Sequence, residues 1–148
     1  MRFSLSSIWC TPIVGLVSFA TVVATGWLFD LLGIFPPVGF RTQTGNHALD
    51  LFGAVALSPV GETLIMAAVI AFSGQWLSRR HATLVGAFVS IAAHAPAWWG
   101  WSLAVTLPFA LFAAPFALRT RWREAITLSM LTHAFHNLYA FFATTMAS

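Results

Sequence analysis

Five stretches of this sequence stay apolar for close to the ~20 residues that an α-helix needs to cross a bilayer. They run over Ile8 to Phe29, where Asp30 closes the first, and then over Leu49 to Phe72, Thr83 to Trp99, Ser102 to Leu118 and Ala125 to Met146. Of the 148 residues, 59% are hydrophobic and only 7% charged, against roughly 25% charged in a soluble domain. So few charges cannot cover a globule in water, but they suit a chain whose outer surface is lipid. The expected fold is all-α, a polytopic membrane protein of about five transmembrane helices in one bundle. Gly and Pro inside such spans are tolerable, because neighbouring helices satisfy the freed backbone groups.

Between the first two spans, Leu31 to Phe40 contains Pro36-Pro37 and reads as interfacial, and Arg41 to His47 reads as a polar loop. The first span lacks a small-x-small cleavage site, so it is expected to be a retained helix rather than a signal peptide. Cys10 is the single cysteine. It excludes an internal disulfide framework, and with Trp9 before it and an apolar run after it, it has no lipoprotein cleavage context. No repeat, low-complexity tract or appended soluble domain is evident.

Charge and aromatic placement give this layout an orientation. With five spans, Arg2, Arg79, Arg80, Arg119, Arg121 and Arg123 fall on one side of the membrane and only Arg41 on the other. That bias predicts a cytoplasmic N-terminus and an outer C-terminus. Trp9, Trp76 and Trp122 fall at cytoplasmic ends, and Trp27, Trp98, Trp99 and Trp101 at outer ends, as an aromatic belt requires. The net charge of +3 comes from arginines scattered among short loops, so no nucleic-acid partner is expected.

Against this background, four polar residues stand at membrane depth. Glu62 lies well inside the second span, where an ionised side chain costs about 2.5–3.5 kcal/mol on insertion scales and usually faces a cavity or partner. His94 belongs to the third span, and His133 and Asn137 to the fifth. His133 and Asn137 are four residues apart and so share one helix face. At 1.5 Å per residue, Glu62 and His133 each lie ~20 Å from the outer end of their spans. Asn137 and His94 lie nearer that surface, by an amount that helix tilt absorbs. Each has a plainer reading as well, since a histidine in a membrane helix often only bonds one helix to another. His136 reads as structural or supporting, His47 and His81 as solvated loop residues, and Thr63, Ser129 and Thr132 as packing or backbone-bonding residues.

The order of these residues resembles the CPBP/Abi family of CAAX-protease-like intramembrane peptidases. That family carries EExxxR on one helix, FxxxH on the next and HxxxN two helices later. Ser58-Pro59-Val60-Gly61-Glu62-Thr63 is similar to the approach to the first motif, His94 stands where the second motif's histidine would, and His133-Ala134-Phe135-His136-Asn137 matches the third. Three positions depart from the pattern: Thr63 replaces the second glutamate, Ala67 the arginine and Ser90 the phenylalanine. Positions 63 and 67 would pair across one turn, so losing both leaves no unmatched buried charge.

The resemblance covers residues 48 to 146. It implies a four-helix catalytic core at 48–148, with a first transmembrane helix and interfacial loop at 1–47. It also implies a glutamic-type endopeptidase of the bacterial inner membrane, acting on a membrane-anchored protein or a lipid-anchored peptide tail. Glu62 would be the base that activates water, His94 would hold that water, and His133 and Asn137 would donate to the oxyanion. Ser58-Pro59 reads as the start of a half-helix, which would set Glu62 just inside its positive end. No cofactor is expected, although Glu62, His94 and His133 also form a donor set for zinc with an open position. There is no HExxH, Gly-x-Gly-Asp or serine elbow to suggest another protease class. Two readings from other classes remain open: a non-catalytic membrane partner or bacteriocin-immunity-type protein, and a haem held between His94 and His133.

Overall fold

A computed structural model of the chain describes residues 8–34, 46–119 and 121–145, and every regular element among them is helical. Pro36-Pro37, the loop from Arg41, Arg2 and Met146 lie outside the described residues.

Helix α1, Thr11–Leu31, begins with Pro12 in its first turn, where the missing N–H costs nothing. It ends at Gly33, whose φ of 67° is a left-handed conformation open to glycine. There Ile34 N–H bonds the Phe29 carbonyl at 2.8 Å and Gly33 N–H bonds Asp30 at 3.1 Å, the paired closure of a Schellman motif.

Asn46 caps α2, His47–Phe52, by accepting from the backbone N–H groups of Ala48 and Leu49. A π-helical turn, Gly53–Leu57, then leads without a break into α3, Ser58–Ser73. Here the structure corrects the expectation of a half-helix at Ser58-Pro59: Leu57 and Ser58 both have right-handed helical backbones. The wider turn absorbs the proline, because Ser58 N–H reaches back to Gly53 rather than to Ala54.

Helix α4, Arg79–Ala92, stops short of the expected end at Trp99. Pro96 explains the stop, since its ring would meet the carbonyl of Ala92 and it has no N–H to continue the ladder. The chain tightens instead, with His94 N–H on Ile91 and Ala95 N–H on Ala92, each at 3.1 Å. His94 therefore sits in a turn beyond α4 rather than within the helix. Helix α5, Trp99–Ala104, and helix α6, Thr106–Leu118, are separated by a break at Val105. Pro108 stands four residues after Ala104 and disrupts the ladder there in the same way. Helix α7, Trp122–Thr145, is the longest uninterrupted α-helix.

Packing brings these helices into one bundle. A Cβ at Gly15 would lie 2.7 Å from Phe135 Cβ and 3.0 Å from the Thr132 carbonyl, so α1 and α7 meet almost backbone to backbone. Gly86 on α4 is covered as closely by Ile70 of α3. Met66, Ile70, Ala82, Phe109, Phe112, Phe116 and Ala125 form the apolar centre. Polar side chains share the interior, with Ser18, Thr63, Ser129, Thr132, His133 and His136 all buried. The outer faces carry large apolar side chains instead, among them Ile13, Trp27, Ile65, Phe72, Leu84 and Phe88. Thr11–Leu31 and the continuous His47–Ser73 are each long and apolar enough to cross a membrane.

Candidate functional site

Three elements converge on one carboxylate. Glu62 lies one turn into α3, and Ser58, a turn earlier on the same face, donates its hydroxyl to Glu62 Oε1. The other oxygen, Oε2, faces His94 Nε2 at 3.9 Å and His133 Nε2 at 3.8 Å. Both gaps exceed a direct hydrogen bond, which needs about 2.7–3.2 Å. They leave room for a small bridging group between carboxylate and imidazoles.

The two imidazoles are held in different ways, His94 by a hydrogen bond at its other edge and His133 by its ring face. His94 Nδ1 lies 2.8 Å from the Ser90 carbonyl, and since a carbonyl only accepts, Nδ1 carries the proton. In the neutral ring this turns a bare Nε2 lone pair toward Glu62. His94 also packs on Phe109, with ring centroids 5.0 Å apart. His133 stacks on Phe112 at 4.3 Å and nearly parallel, and it meets Phe109 edge to face. Aromatic walls thus fix both rings while leaving their nitrogen edges toward the carboxylate. Glu62 is 31% exposed, His94 24% and His133 6%, so the site is reached from the Glu62 side.

A cavity of about 230 Å³ joins these groups, lined by Ser58, Glu62, His94, Trp101, Phe109, Phe112, His133, His136 and Asn137. All of the residues singled out in the sequence as site candidates therefore share one cavity. Asn137 does so with a commitment the sequence did not reveal: its Nδ2 donates to the Ala54 carbonyl at 2.7 Å. Three further participants join the site. Ser58 could have been found from its four-residue spacing to Glu62, which sets the two on one helix face. Trp101, placed by the sequence in the aromatic belt, also lines the cavity. Ser18 of α1 bonds His136 Nδ1 at 2.8 Å, a contact between positions too far apart in the chain to leave any local signal. Thr63 and Ser129 are buried packing residues whose hydroxyls have no hydrogen-bond partner.

Glu62, His94 and His133 are the donors that zinc would need. As placed, they stand wider than a closed zinc site, and no group of three His, Cys, Asp or Glu side chains among the described residues is already set as a metal centre. Ligands at about 2.0–2.2 Å around a tetrahedral ion stand closer together than 3.8–3.9 Å. Compared with protein-family models, curated proteins and solved structures, the chain matches none.

Proposed function

We propose that the chain is an integral membrane protein of about five spans and that its cavity is the active site of an intramembrane endopeptidase. The carrying observation is the single oxygen, Glu62 Oε2, aimed at two imidazole nitrogens from two other parts of the bundle. The membrane reading is supported by two long apolar helices and by the many large apolar side chains exposed on the outer faces. The arginine bias argues for a cytoplasmic N-terminus, and the motif resemblance implies a bacterial inner membrane.

In this reading one water sits between the carboxylate and His94. It donates one hydrogen to Glu62 Oε2 and the other to the His94 Nε2 lone pair, leaving its own lone pairs free to attack. Glu62 takes the proton as the water oxygen bonds to the peptide carbonyl carbon. The oxyanion is stabilised by N–H donors on the α7 side of the cavity, His133 first among them. Collapse of the intermediate breaks the C–N bond, and the leaving amine receives the proton that Glu62 held. Ser58 contributes by fixing Oε1, so that Oε2 is the oxygen left for water. The substrate class is a membrane-embedded or lipid-anchored peptide tail that enters sideways between helices.

One observation favours a second reading, a non-catalytic membrane partner or immunity-type protein. Asn137 and His136 both spend polar atoms on bonds to other helices, as residues that merely fix packing would. A haem between His94 and His133 is less well supported, because the cavity of about 230 Å³ is below the ~300–1,000 Å³ of sites for drug-sized ligands.

The deciding experiment compares protein termini in membrane fractions of the native host, with the chromosomal gene either wild type or Glu62→Gln. The proposal expects new termini within membrane-anchored tails in the wild type, all missing in Glu62→Gln. Identical termini in the two strains would sink the peptidase reading and leave the partner reading standing.

A further inference from the structure

The His136 ring lies between the helix that the motif resemblance leaves out and the cavity itself. Its Nδ1 is bonded to Ser18 of α1 at 2.8 Å, while the residue also lines the cavity with Glu62, His94 and His133. Ser18 is fully buried and His136 is 8% exposed. Phe112 and Phe19 hold the ring edge-on from either side, with centroids at 5.6 and 6.3 Å.

The hydroxyl's single hydrogen sets the direction of the Ser18 bond. Other helical hydroxyls here return theirs to their own backbone, as Thr21 does to Ser18, Thr25 to Thr21 and Ser73 to Val69. Among the described residues the hydroxyl of Ser18 makes only the contact with His136. If Nδ1 were the donor, a fully buried hydroxyl hydrogen would be left with no acceptor, the costlier arrangement. Ser18 is therefore the donor, Nδ1 accepts, and the neutral ring carries its proton on Nε2. With Nδ1 turned to α1, that N–H belongs to the part of the ring left for the cavity.

The cavity has use for such a donor. Asn137, the amide expected at the oxyanion, gives an N–H to the Ala54 carbonyl. Resting on the peptidase reading above, we propose that His136 donates its Nε2–H to the oxyanion of the substrate carbonyl and that Ser18 is the positioning residue that fixes this tautomer. The first helix is then part of the catalytic apparatus, connected to it by one hydrogen bond.

The test has two readouts that fail separately. Nitrogen-15 imidazole NMR of the full chain in detergent, with the His136 signals assigned by their loss in His136→Gln, reads the tautomer directly. The wild type is expected to show Nε2–H, Ser18→Ala a mixture of tautomers, and Ser18→Thr, which keeps the hydroxyl, the wild-type form. Nδ1–H in the wild type, or no change in Ser18→Ala, overturns the proposal. The second readout is turnover of a fluorogenic peptide built on a tail cleaved in the termini comparison. His136→Phe should lower kcat by about 100-fold with KM nearly unchanged, the loss typical of one oxyanion donor. His136→Gln, which retains an N–H, should recover part of that loss. Normal kcat in a folded His136→Phe overturns the donor role. A wild type without any cleavage overturns the peptidase reading and the donor role together, whereas a cleaving wild type matched by His136→Phe overturns the donor role alone.

Discussion

Asn137 on α7 holds the backbone carbonyl of Ala54 at 2.7 Å, and the need for that bond originates five residues further along the chain. In the π-helical turn, Ser58 N–H reaches back to Gly53. The next bond in that register would run from residue 59 to Ala54, but residue 59 is a proline and has no N–H. The Ala54 carbonyl is thus orphaned inside a helix, and an amide from another helix satisfies it. This bond ties the turn before Glu62 to the helix that carries His133.

That account predicts a coupling between two substitutions. Asn137→Leu leaves the carbonyl unsatisfied and should destabilise the protein by about 1–3 kcal/mol. In a Pro59→Ala background a backbone N–H becomes available, so the same change should cost measurably less. A double-mutant cycle of unfolding in mixed micelles reads the difference. Equal costs in the two backgrounds would show that Asn137 is not compensating for Pro59.

Ser58→Ala removes the hydroxyl that occupies Glu62 Oε1 and leaves the helix otherwise intact. The carboxylate should then rotate more freely, with either oxygen presented to His94 and His133. Because a small misplacement of a reacting group is enough to cost up to about 100-fold, turnover should drop within that range while stability changes little. Wild-type turnover in Ser58→Ala would remove Ser58 from the site.

Glycine substitutions distinguish a packed interface from an open face. At Gly15 a side chain collides with Phe135 and the α7 backbone, whereas at Gly26, on the same helix, nothing lies within 4 Å. Gly15→Leu should therefore destabilise by about 1–3 kcal/mol or more through overpacking, and Gly26→Leu should be near neutral. Thermal unfolding in one detergent compares them. If both behave alike, α1 does not dock on α7 as described, and the Ser18–His136 bond falls with it.

Much of this architecture was legible because long apolar runs report directly on helices, and the chain is helical throughout its regular elements among the described residues. The helix ends were less so. Pro96 and Pro108 are visible breakers, yet hydropathy alone runs across them, so the third apolar stretch extends to Trp99 although α4 ends at Ala92. His94 consequently belongs to a turn, where the Ser90 carbonyl orients its ring. The meeting of Glu62, His94 and His133 was anticipated from depth and motif order, which do not depend on exact helix ends. What no local pattern carried were the cross-bundle bonds, Ser18 to His136 and Asn137 to Ala54, which exist only once the helices have packed.

The early stop of α4 yields a prediction of its own. Pro96→Ala restores an N–H and removes the ring that blocks the helix at Ala92. Helicity by far-ultraviolet circular dichroism should rise slightly, and His94 should swing with the lengthened helix away from its 3.9 Å approach to Glu62. Turnover should fall even though secondary structure increases. A gain in helicity with full turnover would mean that His94 is not needed to hold the water.

Chelation separates the two chemistries open to these three side chains. A water held between Glu62 and His94 needs no metal, so treating the purified protein with a strong chelator should leave cleavage of the fluorogenic tail unchanged, and Glu62→Gln should abolish it under the same conditions. In the zinc alternative, Glu62, His94 and His133 would have to close in from their 3.8–3.9 Å separations to grip the ion. Chelation would then abolish turnover, added zinc would restore it, and the bound metal would raise the unfolding temperature in a concentration-dependent way. The chelator result thus decides whether Glu62 is the base or a ligand.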